Sequence, residues 1–435
     1  MTSQRLIALI SLGSLCFQSV STFAQSTSDI EEQRRRARQE AEERSLRQSQ
    51  PDVRLTVPSV AEDSESFSLP EETPCFRIDR LQLEGHPPSL FSWLEKHLAV
   101  YAGRCIGHQG INRIVQRTSA LIIDKGYITT RLGVPEQDLT SGTLRLVLVP
   151  GVIRAIRIVG DSPEHNWRSA FPVRPGDLLN LRDIEQGLEQ MKRVPSQDVS
   201  IDIAPGETPG ESDLVLTVKQ SKPWRLGLTL DDSGGQVTGR LQASLNASLD
   251  NLLGLNDLFS FSVNNDAERA PQQRGTAGQS FLYSVPWGNW TLSLSDSVSR
   301  YLLTAQGANQ RFQFSGDSHN QEIKLQRLVY RDQAAKTTLQ FRLLSRESRS
   351  YMEDIEILLQ HRRTTTAELG VAHRQYFGTK QLDLLLAYRQ GVPWVGGQVD
   401  LPGRRADSPT FTYHAQTLDA TLLTPLPWRI SHCAG

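Results

Sequence analysis

Apolar and polar residues recur along this chain with two different periods, and the change of period divides it. From Trp224 onward the period is two. Trp224, Leu226, Leu228 and Leu230 alternate with Arg225, Gly227, Thr229 and Asp231. Leu241, Ala243, Leu245, Ala247 and Leu249 alternate with Gln242, Ser244, Asn246, Ser248 and Asp250. Phe281, Tyr283, Val285 and Trp287 lead on to Trp290, Leu292 and Leu294, which are set against Thr291, Ser293 and Ser295. Strict alternation gives a strand one apolar and one polar face. Further strands centred near Leu325, Leu339, Val371, Leu384 and Tyr413 bring the expectation to about ten between residues 224 and 423. The connections alternate in length. Asp250–Asp257, Pro286–Asn289, Arg331–Lys336, Phe377–Lys380 and Thr424–Trp428 are short, whereas 264–278, 300–318, 346–354 and 390–409 are longer. Short turns on one side and long loops on the other are the arrangement of an outer-membrane β-barrel. Trp287, Trp290, Trp394 and Trp428 fall near strand ends, where aromatic girdles sit. A soluble β-sandwich is the competing reading of the same alternation.

Upstream, short strands mix with helical periods. In residues 74–150, Phe76–Leu83 alternates as one strand and Leu90–Leu98 reads as a short helix. Ile111–Lys125 is a second helix with Ile111, Ile114, Val115, Thr118, Leu121 and Ile122 on one face. Gly126 stops it, and Tyr127–Arg131 and Leu144–Val149 are closing strands. Residues 151–221 repeat the plan. Ile153–Val159 is a strand, Trp167–Phe171 a first helix, and Leu181–Lys192 a second helix capped by Asn180. Val199–Ala204 and Asp213–Lys219 close the module. Two consecutive β-α-α-β-β modules therefore precede the long alternating region.

The N-terminus has a targeting pattern. Arg5 precedes an apolar run, Leu6–Leu15, too short to span a bilayer, and Thr22-Phe23-Ala24 places small residues at a cleavage site. The expectation is a signal peptide over residues 1–24. Residues 25–48 read as a polar helix with six acidic and six basic side chains within 28–47. Glu31–Arg35, Glu32–Arg36, Glu40–Arg44 and Glu43–Arg47 stand at i,i+4 spacing, worth about 0.2–0.5 kcal/mol each. No apolar stripe is present, so this helix suits solvent or a wet, charged cavity. Residues 49–73, with Pro51, Pro58 and Pro70, read as an extended linker.

Composition narrows the function classes. The 435 residues carry 47 Lys+Arg against 48 Asp+Glu, which gives no basic face for nucleic acid. A mean hydropathy of −0.38 excludes a bundle of membrane helices but not a barrel of alternating strands. Export to an oxidising compartment favours pairing Cys75 with Cys105, which flank one small module, and leaves Cys433 over. His86, His97, His108 and His165 are scattered without metal-ligand spacing, and no phosphate-binding GxxxxGK[ST] loop is present. The expectation is a non-enzyme without catalytic, metal or cofactor residues.

Several motifs carry a family resemblance. They are Cys75-Phe76-Arg77-Ile78 with Leu83-Glu84-Gly85, and Tyr101-Ala102-Gly103-Arg104-Cys105-Ile106-Gly107. Gly126-Tyr127-Ile128-Thr129-Thr130-Arg131 and Val149-Pro150-Gly151 follow, then Pro223-Trp224-Arg225 and Asp250-Asn251-Leu252-Leu253-Gly254-Leu255-Asn256-Asp257. In this order they resemble the TpsB outer-membrane transporters of two-partner secretion, as far as Trp428. The resemblance implies α+β POTRA repeats at 74–150 and 151–221, with a transmembrane antiparallel β-barrel from 222 to 435. Pro223, Trp224 and Arg225 would stand at the start of that barrel. Residues 25–48, with Arg34, Arg35, Arg36, Arg38, Glu42 and Glu43, would be the helix that plugs the resting pore. The implied partners are a cognate TpsA-type exoprotein with an N-terminal secretion domain, outer-membrane lipid, and the barrel assembly machinery during biogenesis. POTRA modules would capture the unfolded partner by β-augmentation, and the barrel lumen would pass it to the cell surface. A factor that assembles other barrel proteins is the neighbouring alternative. The family carries 16 strands and an inward-folded loop with a Val-Arg-Gly-aromatic motif, neither of which this sequence supplies. The expectation is an incomplete barrel of about 10 strands from a C-terminally truncated product, which retains POTRA binding and does not secrete alone.

Overall fold

A computed structural model describes residues 51–55, 67–85, 90–159, 166–235, 238–268, 273–306, 310–405, 408 and 410–425. The expected signal peptide, the charged helix at 25–48 with Arg34, Arg35, Arg36, Arg38, Glu42 and Glu43, and Cys433 lie outside the described residues.

The first module holds β1 (Phe76–Ile78), β2 (Arg80–Glu84), α1 (Ser92–Leu98), β3 (Arg104–Ile106), α2 (His108–Asp124), β4 (Arg131–Gly133) and β5 (Thr143–Val149). The alternation of Phe76–Leu83 predicts one strand, but the structure has two. The amides of Asp79 and Arg80 both donate to the Gly142 carbonyl, at 2.8 and 3.2 Å, and this kinks the chain. β1 then pairs antiparallel with β3, while β2 runs parallel to β5 in the order β2-β5-β4. Tyr127–Arg131 is likewise not a strand. Gly126 takes a left-handed φ of +94°, residues 127–130 form a turn, and pairing begins at Arg131. Helix α2 presents Ile114 to a core shared with Ile78, Tyr101, Leu144 and Leu146, and Ile122 to a second cluster with Phe91, Leu94 and Leu148.

The second module holds β6 (Val152–Val159), α3 (Leu181–Lys192), β7 (Gln197–Pro205) and β8 (Glu211–Gln220), with sheet order β6-β8-β7. β6 and β8 are parallel, as β2 and β5 are in the first module. Asn180 caps α3, its Oδ1 accepting from the Arg182 amide at 2.9 Å. The helix expected at Trp167–Phe171 is only a 3₁₀ turn, Trp167–Ser169. Phe171 instead turns into the core against Gly187, where a Cβ would lie 2.4 Å from its ring.

The third region is one antiparallel sheet. Its main path runs β9 (Trp224–Asp231), β10 (Gln242–Asp250), β11 (Leu258–Asp266), β12 (Gly275–Trp287), β13 (Trp290–Gln306), β14 (Arg311–Arg331) and β15 (Ala335–Met352). It continues through β17 (Arg362–Phe377), β18 (Lys380–Val392) and β19 (His414–Leu423), with the two-residue β16 (Ile355–Glu356) beside β15. Neighbours in sequence pair throughout that path, and among the described residues β9 and β19 do not pair with each other. β13, β14 and β15 are 17, 21 and 18 residues long, against the roughly 9–11 that cross a bilayer. Much of the loop expected at 300–318 is therefore strand, with pairing that reaches Gln306 and Arg311.

Register explains why the sheet has two chemistries. Leu228, Leu245 and Val263 are successive partners, as are Tyr283, Leu294 and Ile323, and then Phe341, Leu369 and Tyr388. Along these rows the face is apolar and exposed, Leu228 at 79% and Leu369 at 63%. Such a face is stable only against another apolar medium. The opposite face pairs polar groups. Ser262 meets Ser280 at 2.8 Å, Arg342 donates to Glu322 at 2.5 Å, and Glu368 accepts from Arg389 at 2.6 Å and Gln340 at 3.0 Å. Among the described residues, no helix is long and apolar enough to cross a membrane, which says nothing of strands.

Candidate functional site

The residues singled out in the sequence gather at three joints. In the first module Cys75 and Cys105 form a disulfide beside the β1–β3 pair, with their Cα atoms 5.4 Å apart. A residue not foreseen secures the same corner. Helix α2 begins after Gly107, which offers no side-chain cap. Glu72 reaches over from the preceding segment and accepts the amides of Gly107 (2.9 Å), Gln109 (2.9 Å) and Gly110 (2.7 Å). Burial works to raise its carboxyl pKa, but these amides and the nearby His108 prevail and hold it below the ordinary value. The cap comes from about 35 residues away, so no local pattern announces it.

The second joint links the two modules. The Gly126 carbonyl accepts from the Leu181 amide at 2.9 Å, and Asn180 Nδ2 donates to the Lys125 carbonyl at 3.3 Å. The Gly151 amide donates to Thr130 Oγ1 at 3.0 Å. The motifs Gly126–Arg131 and Val149-Pro150-Gly151 thus meet in space and fix how the second module follows the first. Within the second module Arg154 sits at a register shift in β6 and donates to Asp213 at 2.8 and 2.6 Å, and to Glu207 at 2.6 Å. The Arg154 hydrogen bonds, against some burial, hold the Asp213 carboxyl below its usual range.

The third joint seats the second module on the strand turns at one end of the sheet. At the first turn, Asn251–Asp257, the fully buried Asn256 donates to the Asn166 carbonyl (2.7 Å) and Ser169 Oγ (2.9 Å), while Ser169 Oγ donates to the Leu255 carbonyl (2.9 Å). Asn251 and Asn256 both have φ of +57°, which asparagine tolerates better than most side chains. At the next turn, the Gly288 amide donates to the Ser169 carbonyl at 2.8 Å, and Gln186 and Gln190 donate to the Gly288 carbonyl at 3.3 Å. Arg193 reaches Ser284 Oγ at 2.6 Å and Gln190 reaches Thr291 Oγ1 at 3.1 Å, both on the polar face of the sheet. At the third turn, Arg331 meets Glu185, Gln186 and Glu189 at 3.2, 3.2 and 2.8 Å.

Of the three residues expected at the start of the barrel, Pro223 receives the Asp250 amide on its carbonyl at 2.7 Å. Trp224 opens β9 and is half exposed on the apolar face, partnered with Leu249. Arg225 pairs with Asp250. The two module sheets leave edges open, since among the described residues β2 pairs only with β5 and β7 only with β8. These edges present backbone groups to an extended chain. Among the described residues no three His, Cys, Asp or Glu side chains group to hold a metal ion.

Two α+β repeats in series, the second seated on the turns of a two-faced antiparallel sheet, define the class of POTRA-bearing β-barrel proteins. Residues 76–151 match the ShlB-type POTRA domain, 152–205 a POTRA domain, and 210–432 the family described as haemolysin secretion/activation protein ShlB/FhaC/HecB. The chain belongs to that family. It is 43% identical over 409 residues to outer membrane transporter CdiB-2 of Burkholderia pseudomallei, covering 90% of this chain and 69% of that protein. It is 30% identical to hemolysin transporter protein ShlB of Serratia marcescens, covering 76% of this chain and 58% of that protein. The solved structure of CdiB from Escherichia coli superposes with a TM-score of 0.77 at 27% identity, over 91% of this chain and 72% of that one. CdiB from Acinetobacter baumannii gives 0.74 at 27% identity, over 83% and 70%. The chain thus spans about two thirds of the length of the curated relatives it matches.

Proposed function

We propose that this protein acts in the outer membrane of a Gram-negative cell as a transporter of two-partner secretion. It binds an unfolded TpsA-type exoprotein (a haemolysin, adhesin or contact-dependent inhibition toxin) through its POTRA modules in the periplasm and passes it to the cell surface. The observation that carries this is the third joint. The second module is fixed to three consecutive strand turns, so its free β7 edge lies in the same rigid assembly as the polar face of the sheet. An unfolded chain lacks internal backbone pairing and can take hydrogen bonds from a sheet edge without much sequence reading. The apolar face suits outer-membrane lipid, and insertion would fall to the barrel assembly machinery. Residues 1–24 would be removed on export, and residues 25–48 would plug the resting pore.

A second reading is capture without translocation, for which the open edges of the two module sheets would suffice. A protease assay on intact cells that co-express this chain and a cognate exoprotein separates the two. Transport predicts an exoprotein digested from outside. Capture alone predicts a protected exoprotein that co-purifies with the chain, and failure of both overturns the proposal.

A further inference from the structure

The described start of the linker makes contacts that the secretion reading does not use. Residues 51–55 run between helix α3 and the rim of the sheet. Val53 is 8% exposed and packs into the core of the second module with Ile153, Ile184 and Leu188, and Leu55 packs beside it. The Leu55 amide donates to Glu185 Oε1 at 2.8 Å. Arg331, at the end of β14, donates to the Val53 carbonyl as well as to Glu185 and Glu189 on α3. Tyr376, at the end of β17, donates to Asp52, and the Arg54 guanidinium lies 3.7 Å over the Tyr376 ring. One five-residue strap therefore touches the second module with its apolar side chains and its Leu55 amide. It touches the barrel rim with Asp52, Arg54 and the Val53 carbonyl.

The seam beneath the strap is unusually polar. Glu185 is fully buried and accepts from Arg182 Nη1 at 2.6 Å as well as from Arg331, and Glu189 also takes Lys336. Arg182 keeps Nε and Nη2 buried without a hydrogen bond. A polar joint between modules is one that can open, because water can replace its contacts more readily than those of an apolar core. Here two of the groups in the seam, Arg331 and Glu185, complete their hydrogen bonding on the backbone of the strap.

We propose that residues 52–55 are a latch that holds the second module against the barrel rim, and that withdrawing them frees that module to swing. The strap is covalently continuous with residues 1–50, so a pull on that N-terminal segment would be felt first at Asp52 and Val53. Departure of the strap removes the apolar plug of Val53 and the carbonyl that Arg331 uses, and admits water to the seam. The proposal concerns how the module is held and does not depend on what is transported.

The test uses paired spin labels at Lys192 on α3 and Thr379 on the turn after β17, both exposed. They are placed in the full chain with Cys16→Ser and Cys433→Ser, in detergent. The latch is removed by combining Asp52→Ala, Val53→Ser, Arg54→Ala and Leu55→Pro, which leaves every direct contact between α3 and the rim in place. The unsubstituted strap should give one narrow distance distribution. The four-residue variant should give a distribution at least twice as broad, or a second, longer population. Hydrogen exchange of the paired strands β6, β7 and β8 should be the same in both, which reports that the second module of the variant is folded. A distribution that stays single and equally narrow would overturn the proposal.

Discussion

Arg225, the second residue of β9, and Asp250, the last residue of β10, form a two-pronged ion pair at 2.7 and 3.0 Å. The same carboxylate accepts the Ser196 amide at 3.0 Å, so one buried side chain ties the first hairpin of the sheet to the second module. Asp250→Ala strands that amide and half of the Arg225 guanidinium, at a cost of about 1–3 kcal/mol. Arg225→Ala should cost less, because the arginine is half exposed. Denaturant midpoints of the two variants, read on the detergent-solubilised chain, check both the loss and its order.

Glu72 gives a pH dependence with a definite sign. Its folded carboxyl is held below the ordinary value of 4.5, so its stabilisation is fully present above that value. It is lost as pH falls through the lowered folded value, because the protonated group can no longer serve three amides as an anion. Glu72→Gln should therefore melt below the parent at neutral pH, and the two melting curves should converge as the pH drops under 4.5. Thermal melts of both proteins across that range check the sign, and a gap that widens on acidification would contradict it.

The disulfide closes a loop with a sequence separation of 30. On the chain-entropy account that contributes about 3–4 kcal/mol to the first module. Cys75→Ser with Cys105→Ser should lower the stability of that module by this order while the second module is unchanged. Hydrogen exchange resolved by segment measures the two modules separately.

Gly187 marks a close approach rather than a flexible site. A methyl group there would meet the Phe171 ring at 2.4 Å, and Phe171 is fully buried. Gly187→Ala should cost about 1–3 kcal/mol through overpacking, despite its better helix propensity. Urea unfolding of the variant tests this, and a gain in stability would show that the helix propensity wins.

What the sequence made legible follows from where a residue meets two different media. The alternation of Leu226, Leu228 and Leu230, and of Leu241–Leu249, was readable because one face is exposed to an apolar medium and the other is polar. Helices α2 and α3 were readable from their one-sided apolar faces, and the Asn180 cap from its place just ahead of Leu181. The extension of β13 and β14 through residues 300–318 was not. There the apolar row of Tyr301, Leu303, Phe312 and Phe314 is short, and polar residues such as Arg300, Ser315, Asp317 and Ser318 interrupt it on both strands, so the alternation is too brief to read as a paired strand. The break at Asp79 was hidden for the opposite reason, since the alternation runs on through the kink. Glu72, Asn256 and Arg331 act on partners about 35, 90 and 146 residues away in the chain, and no local spacing could have found them.

Capture of an unfolded partner by the POTRA modules is the step on which the proposed transport depends. The direct measurement is equilibrium binding of the full chain in detergent to the N-terminal secretion domain of a cognate exoprotein. The domain is presented once as a denaturant-diluted, unfolded chain and once after folding. Saturable binding of the unfolded form, with at least tenfold weaker binding of the folded form, is the predicted result. No binding of the unfolded form, or equal binding of both, would contradict it.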